Sequence, residues 1–248
     1  MDCFNQRLTE DSFSRQEDLT FADCDRNKRA RMATLLSMAA TSAGHDYDAR
    51  SLPYEQLYAL RQIFLLSRVC LRLHRCPTAG ERLTVTTWEN GCGRAHVQRV
   101  FEWADGAGEV CVSARSEWIL VNPETRKIMR PSAFTAKPIT VCPKAIDCPA
   151  CKKVLLPKEG LTQLGTRKIV WSDLDGNGHV YSGNYGDIVW DFLPADLQDR
   201  VPQTFYFNYS KEATLGEELT LTGLGEDACY RMEGVGAGGT CFTCEILF

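Results

Sequence analysis

Three polar residues in the C-terminal half have types and a spacing that could do chemistry on a bound ligand. Asp175, Asn177 and His179 occupy alternate positions, so an extended or gently turning backbone presents them on one side. Gly176 and Gly178 lie between them and allow a ligand to approach the backbone closely. A carboxylate, an amide and an imidazole together offer an acid or base and hydrogen-bond donors. The sequence therefore directs the search for chemistry to this segment.

The same segment occurs twice in the chain. Residues 21–30 (FADCDRNKRA) match residues 171–180 (WSDLDGNGHV) at a constant offset of 150, which pairs Asp23 with Asp173, Asp25 with Asp175 and Asn27 with Asn177. A second match aligns residues 79–85 (AGERLTV) with residues 215–221 (LGEELTL). Two matches at similar offsets indicate a duplicated fold.

The two copies differ at two ionisable positions. Arg29 stands where the second copy has His179, and Cys76 stands where it has Glu212. Asp and Asn persist in both copies and are common helix N-caps, so a purely structural role is the alternative for them. His179 and Glu212 are found in one copy alone, and we expect them to be chemical. We also expect a helix to start just after His179 and to direct its free N–H groups toward an oxyanion.

Calcium binding is the competing interpretation of the acidic loop. Asp173, Asp175, Asn177 and Gly178 match positions 1, 3, 5 and 6 of a calcium-loop pattern. That pattern requires a Glu at position 12, where this chain has Asn184, and a preceding helix where this chain predicts a strand. The sequence therefore argues against calcium.

The elements around these residues predict an α+β fold made of two similar halves. Each half is expected to contain one helix and five strands, forming an antiparallel sheet wrapped around the helix, with the two sheets joined edge to edge. The strands are predicted at 14–22, 63–72, 82–88, 94–103 and 109–121, and at 166–172, 203–209, 218–224, 229–235 and 240–248. Prolines concentrate between the halves, which predicts domains at 1–130 and 164–248 and a linker at 131–163.

Composition excludes several classes of protein. The net charge of -4 comes without a basic stripe, which argues against a nucleic-acid binder. No stretch approaches the ~20 apolar residues of a membrane span, and the acidic, polar start is unlike a signal peptide. We therefore expect a cytoplasmic protein.

The chain has twelve cysteines, two pairs of which have CxxC spacing. In a protein without a secretion signal, Cys148–Cys151 and Cys241–Cys244 are expected to be reduced core thiols. A zinc site would combine Cys142, Cys148 and Cys151 with one further ligand, but a CxxC pair alone is only half of such a site. We predict no metal and no cofactor.

The residues resemble a known family, the acyl-acyl carrier protein thioesterases. WSDLDGNGHVYSGNYGDIVW (171–190) is similar to their active-site motif, and TTWENGCGRAHVQRVFEWADGAGEVCVSARSEWILVNPETRKIMRP (86–131) is similar to their first domain. The resemblance implies two tandem hot dog domains, with a non-catalytic N-terminal domain that holds the acyl chain. It also implies catalytic roles for Asp175, Asn177, His179 and Glu212.

The sequence departs from the family pattern at two places. Plant members carry a cysteine directly after the catalytic Glu, and here that residue is Ala213, so no cysteine mechanism operates at this position. Tyr181 and Ser182 replace the asparagines that commonly follow the His-Val pair.

The implied reaction is hydrolysis of acyl-acyl carrier protein to free fatty acid, which ends fatty acid elongation. A thiol leaving group departs readily, so carboxylates and one imidazole suffice. Two routes stay open: Glu212 acts as a general base on water, or Asp175 attacks to give an anhydride that water then opens. The alternatives are a coenzyme A thioesterase of the same fold and a non-catalytic protein that binds acyl thioesters.

The expected partner is the acidic acyl carrier protein, with no nucleic acid and no membrane. Candidate docking cations are Lys152, Lys153 and Lys158 in the linker and Lys211 beside the catalytic Glu. Because the duplication already supplies a paired sheet, either a monomer or a homodimer is compatible with the sequence.

Overall fold

The computed structural model describes residues 5–226 and 228–248, and of Glu226 only the backbone. The described helices are α1 (Met32–Ala49), α2 (Tyr54–Ala59), α3 (Tyr185–Phe192) and α4 (Ala195–Gln198). The strands before residue 130 are β1 (Gln6–Leu8), β2 (Ser12–Asp18), β3 (Ile63–Leu73), β4 (Arg82–Cys92), β5 (Val97–Ala104), β6 (Val110–Val121) and β7 (Ile128–Met129). The later strands are β8 (Thr162–Lys168), β9 (Thr204–Tyr209), β10 (Glu218–Glu226), β11 (Cys229–Gly236) and β12 (Gly239–Leu247). Among these described elements, no helix has the length and apolar character that crossing a membrane requires.

The strands form one antiparallel sheet that runs through both halves. Its order is β1-β2-β4-β5-β6-β3-β9-β12-β11-β10-β8, with β7 paired to β6. The halves meet where β3 pairs with β9, from Arg68 opposite Asn208 to Arg72 opposite Thr204. The predicted edge-to-edge union of the two sheets is confirmed, and each half covers a strand edge that the other would leave exposed.

The two long helices pack against one face of this sheet. Phe205 and Phe207 on β9 point into the core that α1 and α3 share, and both are fully buried. The helices cross closely, because a Cβ on Gly186 of α3 would lie 2.6 Å from the backbone nitrogen of Ala33 on α1. The glycine therefore lets the backbones of the two halves approach.

Residues 142–156 of the predicted linker pack on the opposite face of the sheet, whereas Phe134 packs with Leu52 and Leu57 on the helix side. Val154 and Cys148 are buried there against Tyr206 of β9. Asn208 fixes the segment, since its Oδ1 accepts the N–H of Val154 at 2.8 Å and its Nδ2 donates to the carbonyl of Lys152 at 3.0 Å. The proline-rich segment is thus tied to the seam between the halves at Lys152 and Val154.

Several local predictions need correction. The first half has seven strands instead of five. Each half also has a second helix, α2 in the first and α4 in the second, which is too short to show helical periodicity in the sequence. The first predicted strand of each half ends early, at Asp18 and Lys168, because a 3₁₀ turn follows. That turn forms where the Asp23 and Asp173 carboxylates accept the N–H of the residue three positions earlier.

The cysteines of the last strand lie in the core, as predicted. Cys241 and Cys244 on β12 are 1% and 0% exposed, and both are free thiols. In the first CxxC pair, Cys148 lies with its sulfur 3.8 Å from that of Cys70, and the Cys151 thiol donates to the carbonyl of Arg115 at 3.2 Å. These contacts are those of packed thiols on the face that residues 142–156 cover.

Candidate active site

Asp175 organises the loop that carries the candidate residues. Its Oδ1 accepts the backbone N–H of Asn177 at 2.8 Å and of His179 at 3.4 Å, while its own N–H donates to the carbonyl of His179 at 2.8 Å. Gly178 takes the left-handed conformation (φ 79°) that this tight loop needs. One carboxylate oxygen thus holds the loop in shape.

The first copy repeats this loop closely. Asp25 Oδ1 accepts the N–H of Asn27 at 2.8 Å and of Arg29 at 2.9 Å, and Lys28 takes the left-handed position at φ 62°. A copy that lacks the histidine therefore keeps the aspartate and its hydrogen bonds. The shared Asp has a structural role in both halves, as the duplication suggested.

His179 and Glu212 come together because the loop pairs with the chain that follows β9. His179 forms an antiparallel bridge with Thr214, and Val180 donates to the carbonyl of Ala213 at 2.9 Å. This register places His179 Nε2 at 3.3 Å from Glu212 Oε2, with the side chains 26% and 35% exposed. The two residues unique to the second copy therefore form an accessible imidazole–carboxylate pair.

Ala213 occupies the position where plant members of the resembling family have a cysteine. Its side chain is fully buried, with 0% exposure, and belongs to the core under the sheet. The position next to Glu212 thus points away from the imidazole–carboxylate pair.

Arg126 is a residue of this site that the sequence did not single out. It belongs to the turn between β6 and β7, where Asn122 accepts N–H groups from Glu124 and Thr125 and Arg126 itself has φ 55°. Its guanidinium donates to the same Oε2 of Glu212 that faces the imidazole. A cation from the first half therefore contacts the carboxylate of the imidazole–carboxylate pair in the second half.

Tyr54 is a second contribution from the first half. Its hydroxyl donates to Asn177 Oδ1 at 3.0 Å. Burial, and then the neighbouring Tyr58 and Asp175, raise the pKa of Tyr54, so its hydroxyl keeps its proton. Within the described residues the Asn177 amide N–H groups make no hydrogen bond, so they can donate to a ligand.

The corresponding place in the first copy has no such pair. Arg29 folds back onto Asp25, with Nε 3.2 Å from Oδ2, and its Nη1 donates to the carbonyl of Asp199 at 2.8 Å. Burial raises the pKa of the Cys76 thiol to about 12, so it stays neutral. The polar groups of this copy are engaged in contacts between the halves.

The prediction that a helix starts just after His179, with its free N–H groups at the site, is wrong. The helix α3 begins at Tyr185, six residues after His179, since a turn intervenes. The N–H groups of Val180 and Tyr181 donate to the carbonyls of Ala213 and Asp173. They are therefore unavailable to a ligand.

An apolar pocket opens beside the site, within the first half. It has a volume of about 250 Å³ and lies between α1, α2 and the strands. Its lining includes Tyr54, Leu57, Phe64, Ala43, Gly44 and Trp118. Tyr54 lines the pocket and also bonds Asn177, so the pocket and the candidate catalytic loop share a wall.

Comparison with known families decides where the chain belongs. The model of the acyl-ACP thioesterase N-terminal domain matches residues 10–133, and the model of the C-terminal domain matches residues 162–232. The chain belongs to the acyl-ACP thioesterase family. The second match contains Asp175, Asn177, His179 and Glu212, and the first contains Tyr54, Arg126 and the apolar pocket.

Similar proteins come from plants and bacteria. The chain is 27% identical to a chloroplastic palmitoyl-acyl carrier protein thioesterase of Cuphea hookeriana and 24% identical to a chloroplastic oleoyl-acyl carrier protein thioesterase of Arabidopsis thaliana, over 68% and 77% of its own length. These alignments cover 42% and 58% of the relatives, so the chain spans about half the length of the curated relatives it matches.

Solved structures of acyl-ACP thioesterases share the entire fold. An acyl-ACP thioesterase from Bacteroides thetaiotaomicron superposes with a TM-score of 0.85 at 25% identity, covering 96% of this chain and 97% of that one. A 12:0-ACP thioesterase from Umbellularia californica superposes with a TM-score of 0.78 at 16% identity, covering 97% and 98%. The predicted α+β fold of two joined hot dog units is confirmed.

Proposed function

We propose that this acyl-ACP thioesterase family member hydrolyses the thioester of acyl-acyl carrier protein, releasing a free fatty acid and the carrier with its free thiol. The observation that carries this proposal is the His179–Glu212 pair, 3.3 Å apart, in a loop that adjoins an apolar pocket. A thioester substrate brings both an apolar chain for the pocket and a carbonyl for the polar loop. Membership of the family supports the choice of carrier protein as the thiol partner.

In the proposed mechanism, Glu212 accepts a proton from water, and the resulting hydroxide attacks the thioester carbon. The Asn177 amide donates to the developing oxyanion, with Tyr54 holding its Oδ1. When the carbon–sulfur bond breaks, the proton passes from Glu212 through His179 to the departing sulfur. The 3.3 Å separation of the two side chains is short enough for this transfer.

Asp175 is assigned a positioning role rather than that of a nucleophile. Its Oδ1 accepts two backbone N–H groups, and Asp25 makes the same bonds in the copy without His179. Asp175→Asn keeps an oxygen acceptor for the loop but removes the carboxylate that the anhydride route would need, so we expect only a partial loss of kcat. A loss as deep as that of Glu212→Gln would instead support the anhydride route.

Carrier protein is proposed to dock near Lys211, which is exposed next to Glu212. Lys152, also considered as a docking residue, is paired with Glu245 and stacks over Tyr206 on the face away from the helices. Lys153 and Lys158 are exposed in the same segment as Lys152. Lys211→Glu is therefore expected to raise KM for the carrier substrate more than Lys153→Glu does.

The deciding experiment compares thiol release from acyl-carrier protein and acyl-coenzyme A over a series of chain lengths. The proposal predicts faster turnover, as kcat/KM, with the carrier protein. Equal or faster turnover with coenzyme A would assign the other thiol partner. Binding without turnover of either would favour a protein that holds acyl thioesters without hydrolysing them.

A further inference from the structure

Two thiols from distant parts of the chain meet on the face of the sheet that residues 142–156 cover. The Cys148 sulfur lies 3.8 Å from the Cys70 sulfur, although the two residues are 78 positions apart. Cys70 belongs to β3 and is 0% exposed, whereas Cys148 is 7% exposed. A disulfide has an S–S bond of about 2.0 Å, so bonding the two sulfurs requires them to approach by about 1.8 Å.

The segment that carries Cys148 can supply this movement. The described residues 142–156 contain neither helix nor strand. Beside Cys148 the segment is held by one side chain, Arg115, whose Nε donates to the Cys148 carbonyl at 2.8 Å. Cys70 is fixed more firmly, because β3 pairs with β6 on one side and with β9 on the other. Cys148 is therefore the partner that can move.

Cys148 is also the thiol of the pair that ionises more readily. The hydrogen bond with the Cys70 thiol lowers the pKa of Cys148, and the neighbouring Arg115 lowers it further, although burial opposes both. The same sulfur–sulfur contact, and then burial, raise the pKa of Cys70. Burial raises the pKa of the nearby Cys151 to about 12. Because the thiolate is the form that attacks an oxidant, Cys148 is the thiol that reacts first.

We propose that Cys148 is an oxidation site for hydrogen peroxide and that its oxidation ends in a disulfide with Cys70. The Cys148 thiolate attacks one oxygen of the peroxide, so that an S–O bond forms and the O–O bond breaks. The leaving oxygen takes up the proton that Cys148 released and departs as water.

The Cys70 sulfur then attacks the sulfenic acid on Cys148. An S–S bond forms, the S–O bond breaks, and the oxygen leaves as a second water with the proton of Cys70. Two thiols and one hydrogen peroxide thus become one disulfide and two waters. The sulfurs are oxidised and the peroxide is reduced.

The disulfide fastens the connecting segment to the first half of the protein. Asn208 on β9 of the second half already holds the segment, through the backbone of Lys152 and Val154. A bond to Cys70 ties the same segment to the neighbouring strand, β3. A disulfide that closes a long loop restricts the unfolded chain, and its usual stabilisation corresponds in a chain of this length to a rise in unfolding temperature of about 4–16 °C.

Peptide mapping of the folded chain after treatment with hydrogen peroxide tests the site. Trypsin cuts after Lys and Arg, so it releases Cys70 in residues 69–72 and both Cys148 and Cys151 in residues 145–152. Without reduction, we expect these two peptides to be joined with the loss of two hydrogens, and a thiol reductant to separate them. A bridge inside 145–152, or oxygen added to this peptide without any bridge, would overturn the proposal.

Serine variants identify which thiol of the second peptide reacts. All of them carry Cys92→Ser, which removes an exposed thiol that could join two molecules. Cys148→Ser is expected to abolish both the bridge and the rise in unfolding temperature, and Cys151→Ser to keep both. Cys142→Ser is the matched control and should also keep both, because Cys142 packs against the same cluster from the same segment. A bridge that persists in Cys148→Ser, or one that leaves the unfolding temperature unchanged in the parent protein, would contradict the proposal.

Discussion

The contact between Tyr54 and Asn177 makes a prediction about how the halves cooperate. Tyr54→Phe removes one hydroxyl and leaves the ring in the pocket wall. The lost bond joins two neutral groups at 3.0 Å near the surface, so its net contribution is about 0.5–1.5 kcal/mol. If that bond matters mainly when Asn177 holds the oxyanion, kcat falls about twofold to thirteenfold, since about 1.4 kcal/mol is a factor of ten.

The assay is thiol release from acyl-carrier protein, analysed for kcat and KM separately. Tyr58→Phe is the matched control, because Tyr58 packs with its ring centroid 6.0 Å from that of Tyr54 and is similarly exposed, at 46% against 44%. In the described part of the chain its hydroxyl makes no hydrogen bond. Equal kcat for Tyr54→Phe and wild type, or equal losses in the two variants, would refute the positioning role of Tyr54.

Three further predictions follow from single contacts. Arg126→Gln removes the cation that bonds Glu212, so kcat/KM for thiol release is expected to fall by up to about fivefold, the contribution of an exposed ion pair. An unchanged kcat/KM would separate Arg126 from the chemistry. In thermal unfolding, Gly186→Ala should destabilise the protein by about 1–3 kcal/mol, because its Cβ would overlap the backbone of the neighbouring helix. Gly44→Ala should stabilise the protein by about 0.5–1 kcal/mol, because alanine is the better helix former. The opposite order of stabilities would contradict the described helix crossing. Cys92 is exposed, so Cys92→Ser should remove a fast phase of labelling by a thiol reagent, and retention of that phase would show that another thiol is the accessible one.

Much of the fold could be predicted from the sequence because the chain repeats itself. The repeated loop, the long helices and most strands follow patterns of spacing that are local, and the duplication implied that the two sheets would join. The loop role of Asp175 also followed, since Asp25 persists where the histidine does not. What these features share is that all their determinants lie within a few residues of one another.

The parts that the sequence missed depend on contacts between distant residues. Tyr54 meets Asn177 across 123 positions, and Arg126 meets Glu212 across 86. Neither Tyr54 nor Arg126 lies in a sequence pattern that indicates a catalytic role. The helix α2, which carries Tyr54, is only six residues long and therefore gives no clear helical pattern. The buried contact of Arg99 with Glu89 was equally hidden, because Glu89 lies just beyond the strand predicted at 82–88, which the structure extends to Cys92.

The proposed function assigns the chemistry to the second copy of the loop and not to the first. Its most direct test is kcat/KM for thiol release from acyl-carrier protein by Glu212→Gln and His179→Ala, with Cys76→Ala in the first copy as the matched control. We predict losses of about 100-fold to 10,000-fold for the first two variants, which is the usual contribution of a general base or acid, and an unchanged rate for Cys76→Ala. Wild-type rates in Glu212→Gln and His179→Ala, or an equal loss in Cys76→Ala, would contradict this assignment.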